Sequence, residues 1–299
     1  MALDDMKTIG VVGAGQMGCG IAQVLAQAGW NTLLVDVERA ALQRAMKTIE
    51  QGLGRAVEKG KLTKEQVHGV LQRIQPMQDV ARLEQAHLII EAIPEDPDLK
   101  HALFNRLGRV CPPETILASN TSSISIDGLG VASNRPDRTI GIHFMQPVPV
   151  MKLVEVVRGK ETSEQTVAIA LALVERLGKT AIVCKDSPGF IVNRVLIPMI
   201  NEAIFALEDG VATPEAIDQA MRDGLNHPVG PLALADRIGL DTVLAICEVL
   251  YQQLGDSKFR PCPLLARYVQ AGWLGRKSGQ GFYTYEMRGE RKEALTTQS

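Results

Sequence analysis

Short apolar runs alternate with amphipathic stretches through the first part of this chain. The runs fall at residues 8–12, 32–35, 88–93, 116–118, 139–142, 153–157 and 181–184, and they are rich in Val and Ile. Runs so short, with no polar alternate face, predict buried strands. Between the early ones lie stretches with helical period. Residues 20–28 form one that ends at Gly29, a residue suited to a left-handed cap. Residues 39–59 form a longer one, and Thr63-Lys-Glu-Gln66 reads as a capping box opening another. Pro97 suits the first turn of a helix running to Val110. Strands alternating with helices predict an α/β fold, a Rossmann-like, doubly wound and mostly parallel sheet. The helices from 39 and 63 stand as a helical-hairpin insertion between the second and third strands.

The pattern changes after Lys185-Asp-Ser-Pro-Gly189. Strand signals almost vanish, and helical runs follow at 191–207, 214–223, 232–238, 241–254 and 264–271. Thr213 before Pro214 reads as an N-cap followed by a first-turn proline. Residues 1–186 are therefore assigned to the sheet domain and 187–299 to an all-helical C-terminal domain. Residues 288–299 are polar and are expected to fray.

Composition narrows the classes of function. Acids and bases nearly balance, at a net charge of −2. No basic tract of the density that nucleic acid needs is present. The start, Met1-Ala-Leu-Asp-Asp-Met6, lacks an apolar signal region, and no apolar run is long enough to span a bilayer. A soluble, cytoplasmic protein with no nucleic-acid or membrane partner is expected. Cysteines at 19, 111, 184, 247 and 262 are odd in number and scattered, so neither a disulfide framework nor a metal site is expected. Cys19, at the start of the first helix, is read as a packing residue.

The first strand runs into Gly13-x-Gly15-x-x-Gly18 and then a helix, and Asp36 closes the second strand. That order describes a dinucleotide pocket. Gly13 permits the tight turn, Gly15 lets backbone approach a pyrophosphate, and Gly18 lets the helix pack on the strand. The amides of the helix start face the phosphates. Asp36 would accept from the adenosine ribose hydroxyls and repel a 2′-phosphate, which favours NAD over NADP, although Arg39 nearby weakens that choice. Further on, His143 stands at the end of an apolar strand and Glu155 on the next one, after a turn stiffened by Pro147 and Pro149. Two adjacent strands would bring the two together, and a carboxylate-oriented imidazole is a general base suited to alcohol oxidation. Taken alone, a histidine there reads first as a structural residue at a strand end. Ser119-Asn-Thr-Ser-Ser123 is a second hydroxyl-rich strand end, which reads as helix caps or as a grip on the reacting oxygen. Asn193, just past the domain boundary, reads as a packing amide or as a group reaching toward a cleft.

Together these segments resemble the L-3-hydroxyacyl-CoA dehydrogenase family. The resemblance rests on Val12-Gly-Ala-Gly-Gln-Met-Gly18, Ala118-Ser-Asn-Thr-Ser-Ser123, Gly141-Ile-His-Phe through Leu153-Val-Glu155, and Lys185-Asp-Ser-Pro-Gly-Phe-Ile-Val-Asn-Arg194. Pro228-Val-Gly-Pro-Leu232 with Gly239-Leu-Asp241, and Gly275-Arg-Lys-Ser-Gly-Gln-Gly-Phe-Tyr283, complete it. The resemblance implies an NAD-dependent, reversible oxidation of L-3-hydroxyacyl-CoA to 3-ketoacyl-CoA. It implies His143 as base, Glu155 as its partner, and Ser122 and Asn193 on the substrate oxygen. Gly13, Gly15, Gln16, Met17, Gly18 and Asp36 would bind the cofactor, with Ser122 beside the nicotinamide. Glu95 and Lys100 would lie near the nicotinamide and the CoA channel, and Lys277 near the cofactor. One position departs from the pattern: the family usually has His-Phe-x-Asn-Pro, whereas this chain has Gln146. That residue keeps the amide, expected to contact the cofactor, but moves it by roughly 1 Å. The expected substrate is 3-hydroxybutyryl-CoA, typical of short-chain members, and the expected assembly is a homodimer through the helical domain. Alternatives are a 3-hydroxyadipyl-CoA dehydrogenase, a gulonate dehydrogenase-like enzyme, or a non-catalytic, crystallin-like NADH-binding protein.

Overall fold

The computed structural model describes residues 3–286 and the backbone of 291–292. The fraying expected of the last residues falls almost wholly outside the described residues. The chain divides into two compact units, Met1–Phe190 and Ile191–Ser299. The division follows residue 190, where the sequence reading places it after 186.

The first unit runs β1 (Thr8–Val12), α1 (Gln16–Gln27), β2 (Asn31–Val35), α2 (Arg39–Glu58), α3 (Lys64–Arg73), β3 (Ile74–Met77), β4 (Leu88–Glu91), α4 (Pro97–Val110), β5 (Ile116–Ser119), α5 (Ile126–Ser133), β6 (Thr139–Phe144), β7 (Leu153–Arg158), α6 (Glu164–Arg176) and β8 (Thr180–Lys185). Among the described residues these strands form one sheet in the order β3-β2-β1-β4-β5-β6-β7-β8. Every neighbouring pair is parallel except β6 and β7. Those two are joined by residues 145–152, too few for the crossover that parallel strands need, so they pair as a hairpin. The chain order reverses between β1 and β4, and a sheet of this type opens its ligand crevice at such a switch point. Apolar side chains on the two faces of the sheet bury against α1, α2 and α6 on one side and α4 and α5 on the other.

Local chemistry accounts for most boundaries. Thr63 and Gln66 make the reciprocal capping box of α3, and Asp96 caps α4 ahead of Pro97. α1 starts at Gln16, earlier than the sequence indicates, because Gly15 is its N-cap. β3 was hidden by Pro76, which is tolerated because, among the described residues, β3 is an edge strand bonded only to β2. β8 is not the buried strand its apolar sequence suggested. It is the other edge, and Ile182 and Val183 are 44% and 42% exposed.

The second unit packs α7 (Val192–Glu208), α8 (Pro214–Leu225), α9 (Pro231–Ile238), α10 (Leu240–Leu254) and α11 (Pro263–Gln270) around Ile197, Ile200, Ile204, Leu232, Val243 and Leu250. Among the described residues its helical character is interrupted by a two-residue ladder of β9 (Thr284–Tyr285) with β10 (Arg291–Lys292) and by isolated bridges of Gln280 with Gly275 and Thr284. Two buried acids organise it. Asp218 accepts from Leu232 N, Ala233 N and Tyr283 Oη at 2.8, 2.9 and 2.7 Å. Asp236 accepts from Phe282 N, Tyr283 N and Tyr285 Oη at 3.0, 3.0 and 2.9 Å. Among the described residues no helix is long and apolar enough to cross a membrane.

Candidate active site

The turn after β1 is built as a cradle. Gly13 sits at φ +102°, and a Cβ there would lie 2.5 Å from the carbonyl oxygen of Ala92. A Cβ on Gly18 would lie 1.8 Å from the carbonyl oxygen of Gly13, so α1 crosses the strand at a separation only glycine permits. A Cβ on Gly15 would meet nothing within 4 Å. The space it would fill is open, beside the uncapped N-terminus of α1, which is where a pyrophosphate needs backbone at close range. Gln16 is exposed and Met17 half-buried on that first turn. Asp36 reaches back across the loop, accepting from Ala14 N at 2.7 Å and from Glu38 N at 2.9 Å. A cavity of about 290 Å³ adjoins this loop, lined in part by Gly15, Gln16, Arg44 and Thr48. These residues fit a dinucleotide. Cys19 is buried against the carbonyl of Ala45, and burial pushes its thiol up, as a packing residue requires.

Across the sheet, β6 and β7 pair in a register that sets His143 directly opposite Glu155. His143 Nδ1 lies 2.7 Å from Glu155 Oε2, and Glu155 is 1% exposed. A carboxylate at Nδ1 fixes the proton on that nitrogen and leaves Nε2 as the basic atom. Phe190 packs edge-on against the imidazole, with ring centroids 5.6 Å apart. Its backbone is left-handed, at φ 49°.

The loop after β5 lies beside the end of β6, since Asn120 Oδ1 accepts from Phe144 N at 2.9 Å. Ser122 stands on this loop, half-buried. The loop is gathered on Glu95, whose Oε1 accepts from Thr121 Oγ1 at 2.6 Å, Ser122 N at 2.9 Å, Ser123 N at 3.0 Å and Ser123 Oγ at 2.9 Å. Ser122 Oγ is 3.3 Å from the same oxygen. Lys100 Nζ, buried, lies 3.2 Å from Glu95 Oε2 and 2.5 Å from Glu91 Oε1. Burial acts to raise the Glu95 carboxyl, but the Lys100 charge and the loop donors outweigh it and hold it below the usual carboxylate value. Gln146 is exposed at the start of the β6–β7 connection, ahead of a cis peptide to Pro147. Lys179 Nζ fastens that connection, donating to the carbonyls of Val148 and Met151 at 2.6 Å each.

His143, Glu155, Ser122, Glu95, Lys100 and Gln146 thus all belong to the first unit, together with the glycine loop and Asp36. Asn193, in the first turn of α7, and Lys277 belong to the second. Lys277 Nζ pairs there with Asp241, 2.6 Å from Oδ2. Asn120, Phe190 and Glu91 were not singled out from sequence. The first two lay within quoted motifs, and Glu91 is the one charged residue inside the apolar run 88–93. Among the described residues no group of His, Cys, Asp and Glu could hold a metal ion.

Comparison with known proteins agrees with this geometry along the chain. Residues 8–187 match the family model described as 3-hydroxyacyl-CoA dehydrogenase, NAD binding domain, and residues 189–285 match the C-terminal domain of the same family. A probable 3-hydroxybutyryl-CoA dehydrogenase of Bacillus subtilis is 56% identical over 94% of this chain and 98% of its own length. A 3-hydroxyadipyl-CoA dehydrogenase of Escherichia coli is 44% identical over 97% of this chain and 61% of its own length. The crystal structure of a (S)-3-hydroxybutyryl-CoA dehydrogenase from Ralstonia eutropha superposes with a TM-score of 0.92 at 49% identity, covering 94% of this chain and 99% of that one. The dinucleotide cradle, the motif order and these matches establish that the chain belongs to the 3-hydroxyacyl-CoA dehydrogenase family and is an NAD-dependent dehydrogenase.

Proposed function

We propose that the protein catalyses L-3-hydroxyacyl-CoA + NAD⁺ ⇌ 3-ketoacyl-CoA + NADH + H⁺, with 3-hydroxybutyryl-CoA as substrate. The observation that carries the chemical part is the 2.7 Å pair of His143 Nδ1 with Glu155 Oε2. It leaves Nε2 to take the hydroxyl proton, while Glu155 holds the ring's orientation and offsets the charge of the imidazolium that forms. Ser122 grips the reacting oxygen from the loop beside β6, and Asn193 supplies a second donor from α7. Gly13, Gly15, Gln16, Met17, Gly18 and Asp36 hold the dinucleotide, and Glu95, Gln146 and Lys277 serve its nicotinamide side or the CoA channel; the direct contact expected of Lys100 does not suit a side chain 1% exposed, which acts through Glu95 instead. NAD, when bound, would supply the acceptor for the hydride from C3.

The relatives' names support the four-carbon substrate, since 3-hydroxybutyryl-CoA dehydrogenases are among the most similar. The Escherichia coli relative supports 3-hydroxyadipyl-CoA as the second reading. The test is NADH oxidation with acetoacetyl-CoA, alongside 3-ketoadipyl-CoA, NADPH, and L-gulonate with NAD⁺. Acetoacetyl-CoA with NADH should be turned over fastest. A preference for the dicarboxylic ester would move the assignment to the second reading, activity on L-gulonate alone would move it to the sugar-acid class, and NADH binding without any turnover would mark a binding protein. His143→Ala should lower kcat by about 10²–10⁴-fold, the range for removing a general base. Near wild-type turnover in that variant would sink the base assignment.

A further inference from the structure

β4 reads Leu88-Ile-Ile-Glu91, and all of it is buried in the sheet. Its last residue is a carboxylate with a side-chain exposure of 0%. Nothing in the reaction proposed above uses it. Burying a carboxylate is costly unless each oxygen is matched by donors, and an apolar residue of similar size is often the more stable choice. Ile89 and Ile90 show that this strand accepts apolar residues.

The matching is complete and points in one direction. Glu91 Oε1 accepts from Lys100 Nζ at 2.5 Å and from Ile93 N at 2.7 Å, and Oε2 accepts from Ser119 Oγ at 2.5 Å. Two arms leave this carboxylate and arrive at the same loop. The first runs through Lys100, itself 1% exposed, to Glu95 and so to the amides of Ser122 and Ser123. The second runs through Ser119, whose oxygen accepts from Thr121 N at 3.1 Å. Burial pushes the Glu91 carboxyl up, and the Lys100 charge beside it limits the rise. The result is a charged brace under residues 119–123.

We propose that Glu91 is a positioning residue for the oxidation: through Lys100 and Ser119 it holds the loop in the one arrangement that presents the Ser122 hydroxyl to the substrate oxygen. This rests on the reading of Ser122 as the group that grips that oxygen. The competing role is purely architectural, a tie between β4 and β5, where Glu91 and Ser119 are paired in register.

A double-mutant cycle on the full-length enzyme separates the two roles. Glu91→Gln, Ser122→Ala and the double variant are compared with wild type, using acetoacetyl-CoA and NADH. If Glu91 acts by placing Ser122, Glu91→Gln lowers kcat by about tenfold or more with KM for NADH changed by less than about threefold, and the double variant is no slower than Ser122→Ala. Additive losses in kcat would overturn the proposal and leave the role of Ser122 standing. Wild-type kcat in Ser122→Ala would overturn the reading of Ser122 and the proposal with it. Should Glu91→Gln fail to fold, the same cycle is run with Ser119→Ala, which cuts the second arm from Glu91 to the loop, and the same additivity decides.

Discussion

Gly15 and Gly18 are glycines for opposite reasons. Gly18 faces the protein, and its missing side chain is occupied by the carbonyl of Gly13. Gly15 faces open space, at φ −71° and ψ −169°, a conformation any residue adopts. Folding therefore does not require glycine at 15, whereas close approach of a pyrophosphate does. Gly15→Ala should leave thermal stability within about 0.5 kcal/mol of wild type. Its affinity for NADH should nevertheless fall by about tenfold or more, equivalent to roughly 1.4 kcal/mol. Gly18→Ala should lose both, because an added methyl must displace backbone, at a cost of about 1–3 kcal/mol or more. Calorimetric melting and NADH titration of the two variants check this together. Equal NADH affinity in Gly15→Ala and wild type would show that the loop is only a turn. At this scale the sequence was most legible, because glycine spacing states what the backbone must do. Glu91 was not legible, since only the fold brings Lys100 and Ser119 to it.

Among elements, the β6–β7 hairpin shows how much pattern alone could supply. The apolar runs located both strands, and the short proline-bearing link made them neighbours, so the approach of His143 and Glu155 could be read in advance. Among the elements not located in advance, which include α6 (Glu164–Arg176), two have a visible physical cause. β3 carries a proline that only an edge strand tolerates, and α5, Ile-Asp-Gly-Leu-Gly-Val-Ala-Ser, carries two glycines that dilute a helical pattern. The glycine-rich segment from Gly275 was read through its resemblance as a cofactor element carrying Lys277. The structure gives its other residues a packing reason: added Cβ atoms at Gly275 and Gly281 would lie 2.3 Å from the carbonyl oxygen and 2.0 Å from Oδ1 of Asp236. Asp236 on α9 thereby draws residues 282–285 onto the second unit. Asp236→Ala would strand the amides of Phe282 and Tyr283 and the hydroxyl of Tyr285. Stranding buried donors costs about 1–3 kcal/mol each, so the variant should be less stable by about 3 kcal/mol or more. Chemical denaturation measures this, and a loss below about 1 kcal/mol would mean that water or other groups replace the carboxylate.

For the molecule as a whole, composition excluded much and specified little. The near balance of charge argued against a nucleic-acid partner but left the assembly open. The helical unit presents Val195, Val211 and Leu225 at 67%, 73% and 62% exposure, large apolar side chains on or beside α7 and α8. Single exposed apolar residues are ordinary, whereas several on neighbouring helices suit a contact with another chain. The homodimer expected of the helical domain would cover such residues, and a two-fold axis would use the same patch on both copies. Light scattering should then give a mass of about 65 kDa, twice the 32.4 kDa of one chain. Replacing Val195 and Leu225 by Glu would place like charges on both sides of such an interface and shift the mass toward the monomer, while NADH binding to the first unit should persist. A wild-type mass of 32.4 kDa at micromolar concentration would exclude a stable dimer. A dimeric wild type whose mass ignores both substitutions would instead place the interface on other residues.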